Sequence, residues 1–221
     1  MKKSINFSEI MLWLVMLLPF GYLAMIWSGL PETVPTHFNI KGEPDGWGSK
    51  STLIWVPAFL VVLGYGLTWL IPKIDPKRKI EQMGEKYERL RWVIIGLMSA
   101  LSCVIIFSAQ SEGGAISNQL ITIVLGLAFV LLGNYFQTIR HNYFIGIRTP
   151  WTLENETVWK NTHRMAGKWW MLGGLAVILT ALLLPNDFVM PIFLVITGVI
   201  TLVPIVYSYL EYKKLGKATA G

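Results

Sequence analysis

Six apolar runs, each near the length of a membrane crossing, decide most of what this chain can become. They cover residues 10–27, 52–71, 92–109, 119–136, 169–184 and 190–210. A hydrocarbon core about 30 Å thick is crossed by about 20 helical residues, or about 17 at the least. In lipid the backbone must satisfy its own polar groups, so runs of this length become helices rather than isolated strands. The chain is 53% hydrophobic and 14% charged, against about 25% charged residues in soluble domains. The expected fold is an all-α polytopic membrane protein with six transmembrane helices. The first run follows Lys2 and Lys3, which would also suit a secretory signal. Its length and the lack of a small-residue cleavage site favour a retained helix.

An even number of crossings puts both ends on one side, and Lys and Arg choose the side. Of the 19 Lys and Arg residues, all but Lys41 and Lys50 fall in the terminal segments, the connector 72–91 or the loop 137–168. The positive-inside rule gives an N-in/C-in topology with those segments cytoplasmic and loop 30–51 outside. The net charge of +6 is thereby a topological signal, and no direct nucleic-acid partner is expected. Trp13, Trp27, Trp55, Trp69, Trp92, Trp169 and Trp170 lie near run ends, as interfacial anchors do. The lone Cys103 excludes an internal disulfide. The chain divides into an N-terminal membrane region, 1–110, and a C-terminal one, 111–221.

Loop 30–51 is rich in Pro and Gly. Val34, Thr36, Phe38 and Ile40 alternate with Pro35, His37, Asn39 and Lys41, the period of a strand, and 42–46 reads as a turn. The loop should form a small extracytoplasmic cap, with His37, Asn39 and Asp45 as candidate contact residues. One histidine among unspaced carboxylates is a poor metal signal, and no metal or cofactor is expected.

Within the runs as bounded above there is no Asp, Glu, Lys, Arg or His. Proton-coupled carriers and charged pores keep such residues at membrane depth, so these functions are disfavoured. A small permease or exporter for an apolar or peptide substrate stays open. Neither His37 nor His163 has a nucleophile and base nearby, so an enzyme is not expected.

The polar-rich stretch 142–168 holds the densest recognition chemistry. Gly146 permits a tight bend, and Pro150 holds Thr149 extended, so 146–152 should not be regular helix. Thr152 then reads as an N-cap. From Glu156 onward, Glu156, Lys160, Arg164 and Lys168 form one polar stripe. Val158, Thr162, Met165, Ala166 and Trp169 lie opposite, Trp159 and Trp170 at the margin, and His163 on the stripe's edge. The pattern predicts a cytoplasmic interfacial amphipathic helix. Arg148 is placed to pair with Trp151 or with a carboxylate.

The segment GNYFQTIRHNYFIGIRTPWTLENETVWKNTHRMAGK resembles the signature of the SdpI family, bacterial membrane immunity proteins against a secreted killing peptide. LPETVPTHFNIKGEPDGWGSKSTL resembles the domain of unknown function that precedes this signature in many members. The resemblance implies a multi-pass cell-membrane protein that protects against a toxic peptide. It also implies a second role, sequestering a cytoplasmic transcriptional repressor at the membrane. The partners implied are that peptide, that repressor and membrane lipids. Carried over by position, the partner-binding candidates are Asn142, Gly146, Arg148, Thr149, Pro150, Trp151, Thr152, Trp159, His163 and Arg164.

Overall fold

Six helices long and apolar enough to cross a membrane stand side by side, and neighbours in sequence run in opposite directions. The computed structural model describes residues 7–41, 43–110 and 115–218, without the side chains of 115–117 and 216–218. Lys2, Lys3 and Gly42 lie outside the described residues. The spanning helices are α1 (Phe7–Ile26), α2 (Thr52–Ile74), α3 (Glu85–Ser108), α4 (Ala115–Phe136), α6 (Glu156–Leu183) and α7 (Asn186–Ala218); a short helix, α5 (Pro150–Glu154), precedes α6. The chain is a multi-pass membrane protein. Helix α3 packs on α1, α2 and α4, and α4 packs in turn on α6 and α7.

Lipid tails are as apolar as Leu, so these helices associate by close packing rather than by hydrophobic exclusion. The tightest seam shows how. Gly126 and Gly133 on α4 face Gly174 and Gly167 on α6. A Cβ on Gly133 would stand 2.9 Å from the Gly167 carbonyl oxygen, and one on Gly126 the same distance from that of Gly174. Both pairs are seven residues apart, and the two helices run antiparallel. Backbone therefore meets backbone at two successive levels. Leu172, Leu175, Leu179 and Leu182, on the outer side of α6, remain exposed to lipid.

The first expectation corrected concerns charge. Helices α1 and α3 begin before their apolar runs and carry Glu9 and Arg91 into the bundle. The Arg91 side chain is only 6% exposed. Its NH1 donates to Glu9 Oε1 at 2.6 Å and to Glu88 Oε2 at 2.9 Å. The spans are not charge-free; their end turns hold an ion-paired cluster that partners across the bundle have taken out of water.

The cap between α1 and α2 is a two-stranded hairpin of β1 (Thr33–Phe38) and β2 (Pro44–Ser49), antiparallel, with Thr33 opposite Ser49 and Phe38 opposite Pro44. Strand β1 stops short of Ile40 because the Asn39 side chain accepts from the Lys41 and Glu43 N–H groups and closes the turn. Gly46, expected in the turn, lies in β2 against His37. The foot of the hairpin is buried: Val34 packs with Leu23, Leu30, Leu53 and Ile106 from three helix ends. Ile40 at its tip and Trp47 midway along β2, opposite Pro35, are each 61% exposed.

Candidate functional site

The loop 137–149 and the helices around it form a knot built almost wholly from backbone groups held by side chains. Asn142 is its centre. Buried to 2% exposure, its amide donates to the Arg140 and Ile145 carbonyls and accepts from the N–H groups of Phe144 and Ile145. All four hydrogen-bonding positions of the amide are used, which fixes the loop's path without strand or helix.

Gly146 follows with φ of +112°, backbone that a side chain rarely adopts. A Cβ there would also collide with His163 Nε2 and press on the Trp159 ring. Past this bend the Ile147 N–H donates to His163 Nε2 at 2.9 Å. His163 Nδ1 faces the Trp159 carbonyl oxygen at 2.8 Å. A ring that accepts at Nε2 and donates at Nδ1 is neutral, in one tautomer. Trp159 stacks on it with centroids 4.1 Å apart and donates from Nε1 to the Ile139 carbonyl. His141 meets the other side of Trp159 edge-on. Trp159 and His163 thus form the buried face on which the loop is wound, not the margin and stripe edge that the helical pattern implied.

Thr149 is extended, as Pro150 requires, but it is Thr149 rather than Thr152 that caps the helix. Its side chain accepts from the Thr152 N–H, while Thr152 Oγ1 accepts from the Thr149 N–H. This reciprocal capping box makes Pro150–Thr152 the first turn of α5, where a bend without helix was expected. Pro at the first helical position loses no needed hydrogen bond. Thr149 also meets Ser208 of α7 at 3.1 Å, and Trp151 packs on Tyr209 of α7. Asn155 then caps α6, accepting from Thr157 and Val158.

The predicted interfacial helix is corrected as well. Residues 156–168 are the opening turns of the continuous α6, which goes on to become the fifth span. The polar stripe is real, since Glu156, Lys160, Arg164 and Lys168 are all exposed. The opposite side is buried against protein instead of lipid headgroups: Val158, Thr162 and Ala166 are wholly enclosed. Trp169 is 42% exposed and does not share that face. Arg148 is exposed and donates to the Tyr143 carbonyl at 2.7 Å instead of meeting Trp151 or a carboxylate. Beside the knot, a cleft of about 300 Å³ opens between loop, connector and α6. Lys79, Arg140 and Lys160 edge it against the single acid Glu156. At the far end of the bundle, His37 meets one carboxylate, Asp45, and Asn39 is engaged within its own turn.

Sequence reasoning missed Ser208, Asn155 and the glycine seam. The seven-residue spacing of Gly126/Gly133 and Gly167/Gly174 was a readable signal for the seam. Ser208 carries none, because its partner is 59 residues away.

Comparison with known proteins places this arrangement. Residues 138–208, which hold the whole knot, both its caps and Ser208, match the SdpI/YfhL protein family. Residues 14–61 match a domain of unknown function, DUF1648. Over residues 138–208 the chain is similar to the SdpI family. It is 27% identical over 203 residues to the Immunity protein SdpI of Bacillus subtilis (strain 168), covering 91% of this chain and 94% of that one. An uncharacterized protein of Archaeoglobus fulgidus is 54% identical over 37 residues, 17% of this chain and 20% of its own. No solved structure matches.

Proposed function

We propose that this chain is an integral membrane immunity protein that gives resistance to a secreted, membrane-active toxic peptide. The observation that carries the reading is the near full-length alignment with a protein named for immunity. The lopsided Lys and Arg distribution supports an N-in/C-in topology, with the hairpin outside and the knot in the cytoplasm. On that reading residues 1–110 form the region that meets the peptide, through the exposed hairpin tip and its neighbours His37, Asn39 and Asp45. Residues 111–221 form the region that faces cytoplasmic partners.

A signalling role, sequestering a cytoplasmic transcriptional repressor, draws its support from the exposed cations Arg148, Lys160, Arg164 and Lys168 beside the cationic cleft. Such a surface would take an acidic face of a partner. Within the knot, Asn142, Gly146, Thr149, Thr152, Trp159 and His163 shape the surface, while the exposed Arg148 and Arg164 and the half-exposed Trp151 would meet the partner. Toxin binding can alter that surface only if the toxin binds two helix arrangements unequally.

The test is expression in a toxin-sensitive strain. Survival should rise with the wild-type chain, and Arg148→Ala should alter repressor recruitment to the membrane without changing insertion. Unchanged survival at normal membrane levels, together with solute flux in proteoliposomes, would replace this reading with that of a permease.

A further inference from the structure

Between the connector-side ends of α1, α2 and α3 lies a cavity of about 730 Å³ whose lining includes no residue of the knot. At its floor Arg91 is shared by two carboxylates, Glu9 and Glu88, so the cluster carries one negative charge in excess. The remaining charges on the lining, Lys73 and Glu81, offset each other. Access decides which sign of ligand this floor can meet. The Arg91 side chain is 6% exposed, whereas those of Glu9 and Glu88 are 29% and 50% exposed. A guest therefore reaches carboxylate oxygens and not the guanidinium. The walls are Trp13, Tyr65 and Trp69; both indoles keep more than two-fifths of their surface uncovered. The ammonium of Lys73 stands over the Trp69 ring, so that face of the indole is engaged by the chain's own cation and a guest meets the rest of its uncovered surface. Aromatic faces attract organic cations, most strongly where water is scarce.

The geometry points to a binding site for a lipophilic organic cation: one positive charge against the Glu9–Glu88 edge, an apolar body between Trp13 and Trp69, and entry from the interfacial layer. The volume lies within the range of small-molecule sites. An anion of the same shape meets an excess of carboxylate and is refused. This site stands apart from the proposed immunity and is tested separately.

The probes are tetraphenylphosphonium and its near-isosteric anion tetraphenylborate, each titrated by equilibrium dialysis into the full chain in phosphatidylcholine nanodiscs. Saturable binding is expected for the phosphonium only. Glu88→Gln leaves the Glu9–Arg91 pair intact and should weaken that binding about tenfold, the scale of one lost charge contact. Trp69→Leu removes the wall without touching the cluster and should weaken it by a similar factor of about ten. Circular dichroism identifies variants that fold, and either variant alone suffices for the comparison. Saturable phosphonium binding that either folded variant retains unchanged would overturn the site. So would saturable tetraphenylborate binding of equal strength, or no saturable phosphonium binding to the wild-type chain.

Discussion

Alanine at Gly167 or Gly174 should loosen the bundle although it is the better helix former. A Cβ at Gly167 would lie 2.7 Å from the Gly133 carbonyl oxygen, and at Gly174 2.5 Å from that of Gly126. Ordinary contact begins at 3.4 Å, so α4 and α6 must part locally by about 0.7–0.9 Å. The obstructing atoms are backbone, which cannot rotate away as a side chain would. Overpacking of this kind costs about 1–3 kcal/mol, and the gain in helix propensity returns at most about 1 kcal/mol. A net loss of up to about 2 kcal/mol follows, a factor of up to about 30 in the folded-to-unfolded ratio. Gly66 and Gly198 serve as controls, since a Cβ at either meets nothing within 4 Å. Unfolding in detergent by a graded denaturant, followed by tryptophan fluorescence, should rank Gly198→Ala at or above wild type and Gly174→Ala clearly below it. The double variant Gly133→Ala/Gly167→Ala should cost less than the sum of its singles, because one substitution already opens the shared level. If Gly167→Ala and Gly174→Ala unfold together with Gly198→Ala, close backbone packing is not what holds this seam.

Three further outcomes follow from the knot. Gly146→Ala forces a side chain into positive φ and displaces His163 from the Ile147 N–H; a loss of about 2 kcal/mol or more should appear as a lower thermal midpoint in detergent. Asn142→Ala strands two N–H groups and two carbonyls, so amide exchange at Phe144 and Ile145 should quicken while that of α4 and α6 stays slow; Asn142→Asp, which keeps only the acceptors, should fall between. Thr149→Val removes the capping oxygen and the bond to Ser208, at about 0.5–2 kcal/mol, and Thr149→Ser should restore most of it in the same melt.

The spans were legible because lipid allows one solution for a long apolar run, and hence so was the parity of the two ends. Local backbone chemistry was legible too, in the Gly146 bend and the extended Thr149 before Pro150. What failed was every inference that needed a distant partner. Glu9 and Arg91 are 82 residues apart, and no local period announces that they will pair. Around 156–168 the helical pattern picked out the exposed polar stripe, though it misplaced Trp169, and it could not show that the covering surface is the protein's own loop. Trp159 and His163 looked marginal for the same reason. Their polar atoms are satisfied by the carbonyl of Ile139 and the N–H of Ile147, groups that every residue carries and no sequence pattern singles out. The cap residue was misplaced by three positions because Thr149 and Thr152 are chemically equal candidates, and the reciprocal box uses both.

The hairpin's buried foot sets a rule for anyone who would re-engineer this chain. Val34 is wedged among Leu23, Leu30, Leu53 and Ile106, so the ends of three crossings are glued to it. Swapping the tip, roughly residues 39–43, trades surface for surface and should leave the scaffold alone. Transplanting the whole of 30–53 from a relative imports a plug cut for another socket, and the recipient would have to remould that socket before the graft could seat.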